Sequence, residues 1–208
     1  MRKQRPLSLV RVVDDDAGVR DSYRFLIESD GWLVRTFSDA EDFIENDDPK
    51  VPGCAVLDVR MPGKSGLELQ EYMMNLARRL PIIFISAHAN IEMVVRAMQK
   101  GAVDFLPKPV DDAKLLAAVE KAVDISLKEL EADSRLADLR SKWASLSDRE
   151  KETARWVGRG MLNKLIADEM QITERTVQVH RASVYQKLGV RNAVDLAKVL
   201  MKLGEDSL

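Results

Sequence analysis

Residues 7–110 predict an α/β unit built on a doubly wound, five-stranded parallel sheet, and the rest predicts a long helical linker leading into a small all-α domain. Three observations carry this. Short, continuously apolar runs alternate with helix-period segments as far as Pro109. Neither Gly nor Pro occurs from Asp111 to Val157, and short helical stretches with clear stops follow Trp143. Strands that are apolar on both sides belong to parallel sheets covered by helices on both faces.

The elements follow in order. Leu7–Val13 is an apolar, β-branched run and reads as the first strand, although Arg11 interrupts it. A helical pattern through Val19, Tyr23, Leu26 and Ile27 stops near Gly31; Trp32–Phe37 is a second strand and Ala40–Ile44 a short helix. Cys54–Asp58 is the third strand, Leu67–Leu76 a helix, and Ile82–Ser86 the fourth strand, entered through Pro81. Ile91–Gln99 is a helix closed by Gly101, and Val103–Leu106 a fifth strand halted at Pro107. Beyond it Leu116, Val119, Val123, Leu127 and Leu130 recur at the spacing of one helix face, which carries the fifth helix toward Leu139. A helix of about 30 residues spans on the order of 45 Å, a stiff rod rather than a loose tether. The alternative is a helix ending near Ile125 with a charged coil beyond it.

The last third breaks into four short helices. Ser147-Asp148-Arg149-Glu150 has capping-box spacing, and Gly158 and Gly160 are expected to end the helix it opens. Asn163–Met170 and Thr176–Leu188 follow, the latter stopped by Gly189; Asn192 and Asp195 open the last, Ala193 to Met201. The expected domains are residues 1–125, a linker at 126–142, and residues 143–208.

Composition narrows the class. Among 208 residues, 46% are apolar, enough for real cores. The single cysteine, Cys54, excludes an internal disulfide framework and fits a reducing compartment. The basic start, Met1 to Pro6, precedes an apolar stretch too short for a signal peptide, and no run approaches a membrane span, so a cytoplasmic protein is expected. The net charge of −2 divides into −5 over residues 1–140 and +3 over residues 141–208, a modest pointer to a polyanionic partner for the C-terminal part.

Polar residues with chemical potential collect at strand ends. Asp14 and Asp15 end the first strand, Asp58 the third and Ser86 the fourth, while Lys108 follows the fifth across Phe105-Leu106-Pro107. Parallel α/β sheets bind ligands at that edge. Three converging carboxylates need a cation, and oxygen donors suit Mg²⁺ or Mn²⁺. An aspartate beside such an ion can attack a phosphoryl donor, with a hydroxyl and an ammonium receiving the phosphoryl oxygens. Singly, each residue has a plain structural explanation: Asp14-Asp15 as a helix cap or solvated turn, Phe105 as core. Their joint placement does not.

Val13-Asp14-Asp15-Asp16, Asp58-Val59-Arg60-Met61-Pro62-Gly63, Ser86-Ala87 and Lys108-Pro109 resemble the signature of the CheY-like receiver family, over residues 7 to about 125. The resemblance implies a flavodoxin-like fold, Asp58 as phosphoacceptor, and Asp15 as direct Mg²⁺ ligand with Asp14 acting through water. It also implies the Arg60 backbone carbonyl as a further ligand, Ser86 and Phe105 as switch residues, Lys108 as the phosphoryl-binding lysine, and a cis Lys108–Pro109 bond. Ser86 stands where threonine is more frequent, Phe105 lacks the hydroxyl of the commoner tyrosine, and Asp16 is not expected to be a ligand. A haloacid-dehalogenase-like phosphatase would also use an aspartyl nucleophile, but it needs a second Asp two residues on, where this chain has Arg60.

Leu146-Ser147-x-Arg149-Glu150, Asn163-Lys164-x-Ile166-Ala167, Thr176-Val177-x-Val179-His180-Arg181 and Lys187-Leu188-Gly189-Val190 resemble a LuxR-type helix-turn-helix. Val177, Val184 and Leu188 form the inward stripe of the expected recognition helix, and Arg175, Gln178, Val179, Ala182 and Gln186 its outward stripe. Such a helix enters the major groove, where Gln178 can pair with adenine and Val179 can touch a thymine methyl. Lys164, Thr173, Thr176, Arg181 and Lys187 are expected phosphate contacts. For each, a solvated helix face is the alternative, and His180 fits a structural role as well as a contact. Apolar residues on more than one face of Ala193–Met201 leave a surplus that suits a dimer surface.

The whole chain is similar to regulators of the FixJ-like subgroup, and its full-length pattern to regulators of aromatic-hydrocarbon breakdown such as the styrene regulators, although no single residue carries that last match. The implied partners are a sensor histidine kinase, double-stranded promoter DNA, a second copy of the chain after phosphorylation, and RNA polymerase. The implied activity is limited to self-phosphorylation and autodephosphorylation at Asp58. A constitutive DNA-binding protein with a vestigial receiver and a phosphoryl store in a relay are the other classes. The intact Asp15, Asp58, Ser86 and Lys108 speak against the first, and the helix-turn-helix speaks against the second.

Overall fold

The computed structural model describes residues 7–88 and 90–205. The basic start, residues 1–6, lies outside them. The chain divides into two compact units, Met1–Leu130 and Glu131–Leu208.

In the first unit five parallel strands, β1 (Leu9–Val13), β2 (Leu33–Phe37), β3 (Gly53–Asp58), β4 (Ile82–Ser86) and β5 (Asp104–Pro107), lie in the order β2-β1-β3-β4-β5. The connections are α1 (Ala17–Ser29), α2 (Ala40–Asn46), α3 (Gly66–Asn75) and α4 (Ile91–Gln99), with α5 (Asp112–Ala144) after β5. This is the flavodoxin-like order, which reverses between β1 and β3. Period-2 alternation sends Val10, Val12, Cys54 and Val56 to one face, against Ile27 of α1 and Leu115, Val119 and Val123 of α5. It sends Val13, Ala55, Leu57 and Phe84 to the other, against Phe43 of α2, Leu69 and Met73 of α3 and Ala97 of α4. Strand β3 is buried along its whole length, which explains its unbroken apolar run. Burial also pushes the Cys54 thiol up to about 12, leaving it inert.

Arg11 does not interrupt β1; it is fully buried within it. Its guanidinium donates to Asp47 Oδ1 at 2.7 Å, to the Leu9 carbonyl at 2.9 Å, and to the Asp48 and Val51 carbonyls at 2.9 and 2.8 Å. Its Cα partner on β3 is the small Ala55. Arg78 binds the other Asp47 oxygen, so one buried carboxylate ties together β1, the end of α2 and the segment after α3. The periodicity of α5 runs unbroken to Ala144, as one 33-residue helix.

The second unit packs α6 (Asp148–Gly158), α7 (Asn163–Met170), α8 (Glu174–Leu188) and α9 (Ala193–Leu203) around Ala154, Ile166, Val177, Val184 and Leu196. Helix α8 starts two residues earlier than its apolar period predicts, because Thr173 caps it and accepts from the Thr176 N–H at 3.1 Å. Helix α6 ends at Gly158, as expected, with Gly160 left-handed (φ 79°) just beyond it, and a Cβ on Gly158 would lie 2.5 Å from Leu200 Cδ1 of α9. A side chain there would push the Leu200 side chain aside where α6 and α9 cross.

The capping box at α6 does more than cap. Glu150 accepts from the Ser147 N–H at 2.7 Å, and it also receives Ser183 Oγ at 2.5 Å and Lys187 Nζ at 2.7 and 2.9 Å from α8. The Lys187 ammonium first, then Ser183 and Ser147, hold this carboxyl down at about 2.

Two outcomes are expected. Asp47→Ala leaves Arg11 buried without its counter-charge and should cost about 3–5 kcal/mol, read as faster hydrogen exchange of the β1 and β3 amides in the full chain. Unchanged protection would show that the pair is dispensable. Because the folded value of Glu150 lies below the ordinary 4.5, its stabilisation is complete above that pH and is lost as pH falls toward about 2. Glu150→Gln should therefore melt below wild type near neutral pH, with the gap closing on acidification to about pH 3. A gap independent of pH would rule the ion pair out as its cause.

Candidate functional site

The carboxyl ends of β1, β3, β4 and β5 deliver Asp14, Asp58, Ser86 and Lys108 to one edge of the sheet, beside the reversal in strand order. Asp14 is 2% and Asp58 6% exposed, and the Lys108 ammonium sits between them, 2.7 Å from Asp14 Oδ2 and 2.6 Å from Asp58 Oδ1. The second oxygen of Asp58 accepts from the Arg60 N–H at 2.6 Å, and Asp14 Oδ1 accepts from the Asp16 N–H at 3.0 Å. All four carboxylate oxygens of Asp14 and Asp58 thus meet a donor, while Asp15 next to them is exposed. Asp16 is the N-cap of α1, accepting from Gly18 and Val19.

The electrostatics follow from burial and pairing. Burial raises the Asp14 carboxyl above its ordinary value, with Lys108 and the Asp16 N–H opposing and the Asp58 charge adding to the rise. Burial disfavours the Lys108 ammonium, but hydrogen bonds to Asp14 and Asp58 outweigh it and push the group up to about 12. The lysine is therefore a fixed cation at neutral pH.

Ser86 is buried, its Oγ accepting from the His88 N–H at 3.2 Å. Its carbonyl accepts from the Lys108 N–H at 2.8 Å, and the Lys108–Pro109 bond is cis. Phe105 is half-buried beside Phe84, ring centroids 6.0 Å apart. Two supports escaped the sequence reading. Arg20 of α1 donates to the Asp14 carbonyl at 2.6 Å, and nothing in the sequence marks it out from other helix arginines. A Cβ on Gly66 would lie 2.2 Å from the Asp58 carbonyl oxygen, so glycine lets the start of α3 approach the Asp58 backbone. Its place shortly after the Asp58 motif was the available signal.

Mg²⁺ binds through one or two carboxylates and keeps several waters. The hard oxygens of Asp14, Asp15 and Asp58 fit that donor set, although among the described residues no three His, Cys, Asp or Glu side chains make a ready cage.

On the second unit, α7, a left-handed Gln171 (φ 56°) and α8 form a helix-turn-helix. Val177, Val184 and Leu188 are buried, and Arg175, Gln178, Val179, Ala182 and Gln186 all lie on the exposed side of α8. The residues expected to meet phosphates divide. Lys164 is exposed. The Thr173 and Thr176 hydroxyls are bonded to each other at 2.8 Å. Arg181 donates to Asn163 Oδ1 at 3.2 Å and to the Tyr185 hydroxyl at 3.1 Å, and Lys187 is bound by Glu150. His180 is half-buried on the flank of the helix.

Known proteins carry the same two parts. Residues 10–120 match the response regulator receiver domain, and residues 144–200 match the bacterial regulatory proteins of the luxR family. The chain is 39% identical over 201 residues to the response regulator protein TodT of Pseudomonas putida, covering 97% of this chain and 88% of that one. It is 38% identical over 195 residues to the transcriptional regulatory protein FixJ of Bradyrhizobium diazoefficiens, covering 94% and 95%. The solved structure of the response regulator StyR matches with a TM-score of 0.85 at 43% identity, over 95% of this chain and 100% of that one. With the strand-end constellation and the helix-turn-helix both in place, the chain belongs to the response regulators, as a transcriptional regulator with an N-terminal receiver and a C-terminal LuxR-type DNA-binding domain.

Proposed function

We propose that Asp58 accepts a phosphoryl group from a sensor histidine kinase, with Mg²⁺ or Mn²⁺ bound at the same edge, and that this controls dimerisation and promoter binding. The observation that carries the reading is the Lys108 ammonium bridging Asp14 and Asp58 at 2.7 and 2.6 Å. The ammonium places a positive charge against both buried carboxylates, and Asp58 stands at the strand end where a phosphoryl donor would be attacked.

Asp15, Asp58 and the Arg60 carbonyl would hold the metal directly and Asp14 through water. When bound, the metal supplies charge neutralisation for the incoming phosphoryl group. An Asp58 oxygen forms the new O–P bond as the N–P bond of the kinase phosphohistidine breaks, the electron pair leaving with the imidazole. Lys108 then releases part of its contact with Asp58 to bind a phosphoryl oxygen, and the Ser86 hydroxyl, which accepts from the His88 N–H, donates its hydrogen bond to another. With Ser86 drawn toward the phosphoryl group, Phe105 turns inward and shifts a two-state equilibrium at α4 and β5.

Surface character supports the rest. Ile91, Val95 and Met98 form a stripe on α4 that is 84%, 46% and 42% exposed, a surface suited to pairing of receivers. On α9, Val194 and Met201 are 64% and 68% exposed and suit pairing of the DNA-binding domains. In DNA, Arg175, Gln178, Val179 and Ala182 would face the bases. Lys164, Thr173, Thr176, Arg181 and Lys187 lie toward the phosphates, with Lys187 and Arg181 limited by their internal bonds. RNA polymerase is the further partner of such a regulator, acting in the cytoplasm with residues 126–142 as the helical connection.

Incubation with Mg²⁺ and a small acyl phosphate should give a phosphoryl adduct in the intact mass of wild type and none in Asp58→Asn. The donor should also raise the affinity of wild type, but not of the variant, for a duplex selected from random sequences. If Asp58→Asn dimerised and bound that duplex like the phosphorylated protein, the switch would be refuted. At the DNA face, Gln178→Ala should lose about 1–3 kcal/mol of discrimination at one A·T pair, measured against a panel of base-substituted duplexes. An evenly spread loss would place Gln178 away from the bases.

A further inference from the structure

At the edge of the sheet remote from Asp58, the end of α3, the turn after it, the end of α4, the segment leading into β5 and one side of α5 enclose a groove of about 570 Å³. That volume is typical of small-molecule sites. The groove exists because α5 continues past the sheet. Ser126 Oγ accepts from the N–H of Gly53, the first residue of β3, at 3.0 Å, so Ile125 and Glu129 wall the groove at and beyond the strand starts.

Its lining is two-sided. Met73, Met74, Leu80, Met98 and Val103 supply an apolar surface, and methionine adapts its shape to flat or flexible apolar bodies. Four cations, Arg78, Arg79, Lys100 and Lys121, stand against one carboxylate, Glu129, among the described lining residues. Asp47 engages Arg78 and Glu71 engages Lys100. Arg79 and Lys121 are exposed and make no ion pair among the described residues; the Lys121 ammonium reaches only the Val103 carbonyl, at 3.5 Å. Gln70, in the same lining, is 2% exposed. Its Nε2 donates to the Ala97 and Lys100 carbonyls at 3.3 Å each, while its buried Oε1 has no hydrogen-bond partner. Buried acceptors are rarely left so.

We propose that this groove binds a small amphipathic acid, with its apolar body on the three methionines and its carboxylate on Arg79 and Lys121. Gln70 Oε1 is buried as it stands, so a ligand hydroxyl near the carboxylate meets it only when the Gln70 side chain turns toward the groove. The site shares no residue with the Asp58 pocket or the DNA-facing side of α8, and it stands independently of the phosphorylation chemistry.

The test titrates the full chain with octanoate, octanamide and 3-hydroxyoctanoate, following the methionine methyl resonances by NMR. Octanoate should saturably shift Met73, Met74 and Met98 and leave Met161, Met170 and Met201 in place. Octanamide should bind at least about tenfold more weakly, and 3-hydroxyoctanoate more tightly than octanoate. Arg79→Glu/Lys121→Glu and Met74→Glu change exposed side chains, so their melting should match wild type while octanoate binding falls by about tenfold or more. The proposal is overturned by the absence of saturable shifts, by shifts spread over all the methionines, or by equal binding of acid and amide. A hydroxy acid no tighter than octanoate removes Gln70 from the site.

Discussion

An ammonium held between two buried carboxylates organises the first unit of this regulator. Lys108 comes from the end of β5, Asp14 from β1 and Asp58 from β3, and their contacts close only if β1 and β3 are neighbours and the fifth strand ends level with them. The bond from the Lys108 N–H to the Ser86 carbonyl sets that level across β4. Burial alone would drive Asp14 toward its neutral form, and burial alone would discharge the lysine. Each opposes the effect of burial on the other, Lys108 lowering the Asp14 carboxyl and Asp14 raising the Lys108 ammonium, so the cluster holds together as a set.

The opposite edge of the sheet solves a related problem by different means. There Arg11, fully buried, is satisfied by Asp47 and three backbone carbonyls. All of these partners belong to β1 or to the end of α2 and the approach to β3, so the charge fixes where the chain re-enters the sheet. A buried ion pair adds little net stability over an apolar pair, but its geometry admits few alternatives. One edge carries charge arranged for reaction and the other charge arranged for register.

Much of this was legible in the sequence because it rests on period and on strand ends. Continuous apolar runs marked the five strands within two residues at each end, and the four polar motifs fell where those runs stopped. What escaped depends on contacts between distant segments. Arg11 looked like an interruption because nothing local shows that Asp47, 36 residues away, will meet it. Arg20 looked like any exposed helix residue, and at Gly158, where the helix does end, the sequence does not display the approach of Leu200. Lys187 lies on a helix that the LuxR-type resemblance expects to meet DNA, and nothing local in the sequence shows that its charge has an internal partner. Glu150 takes hold of it from 37 residues away through a carboxylate that also caps its own helix.

That ion pair bears on how ionic strength would act on the protein. Basic residues that meet DNA displace condensed counterions, and each such contact steepens the fall of affinity with salt by roughly 0.9 on a logarithmic scale. A lysine already neutralised by an internal carboxylate displaces little. On the reading proposed above, α8 would bring fewer effective charges to a duplex than its sequence suggests, and more of its binding would rest on the exposed row of Arg175, Gln178, Val179 and Ala182.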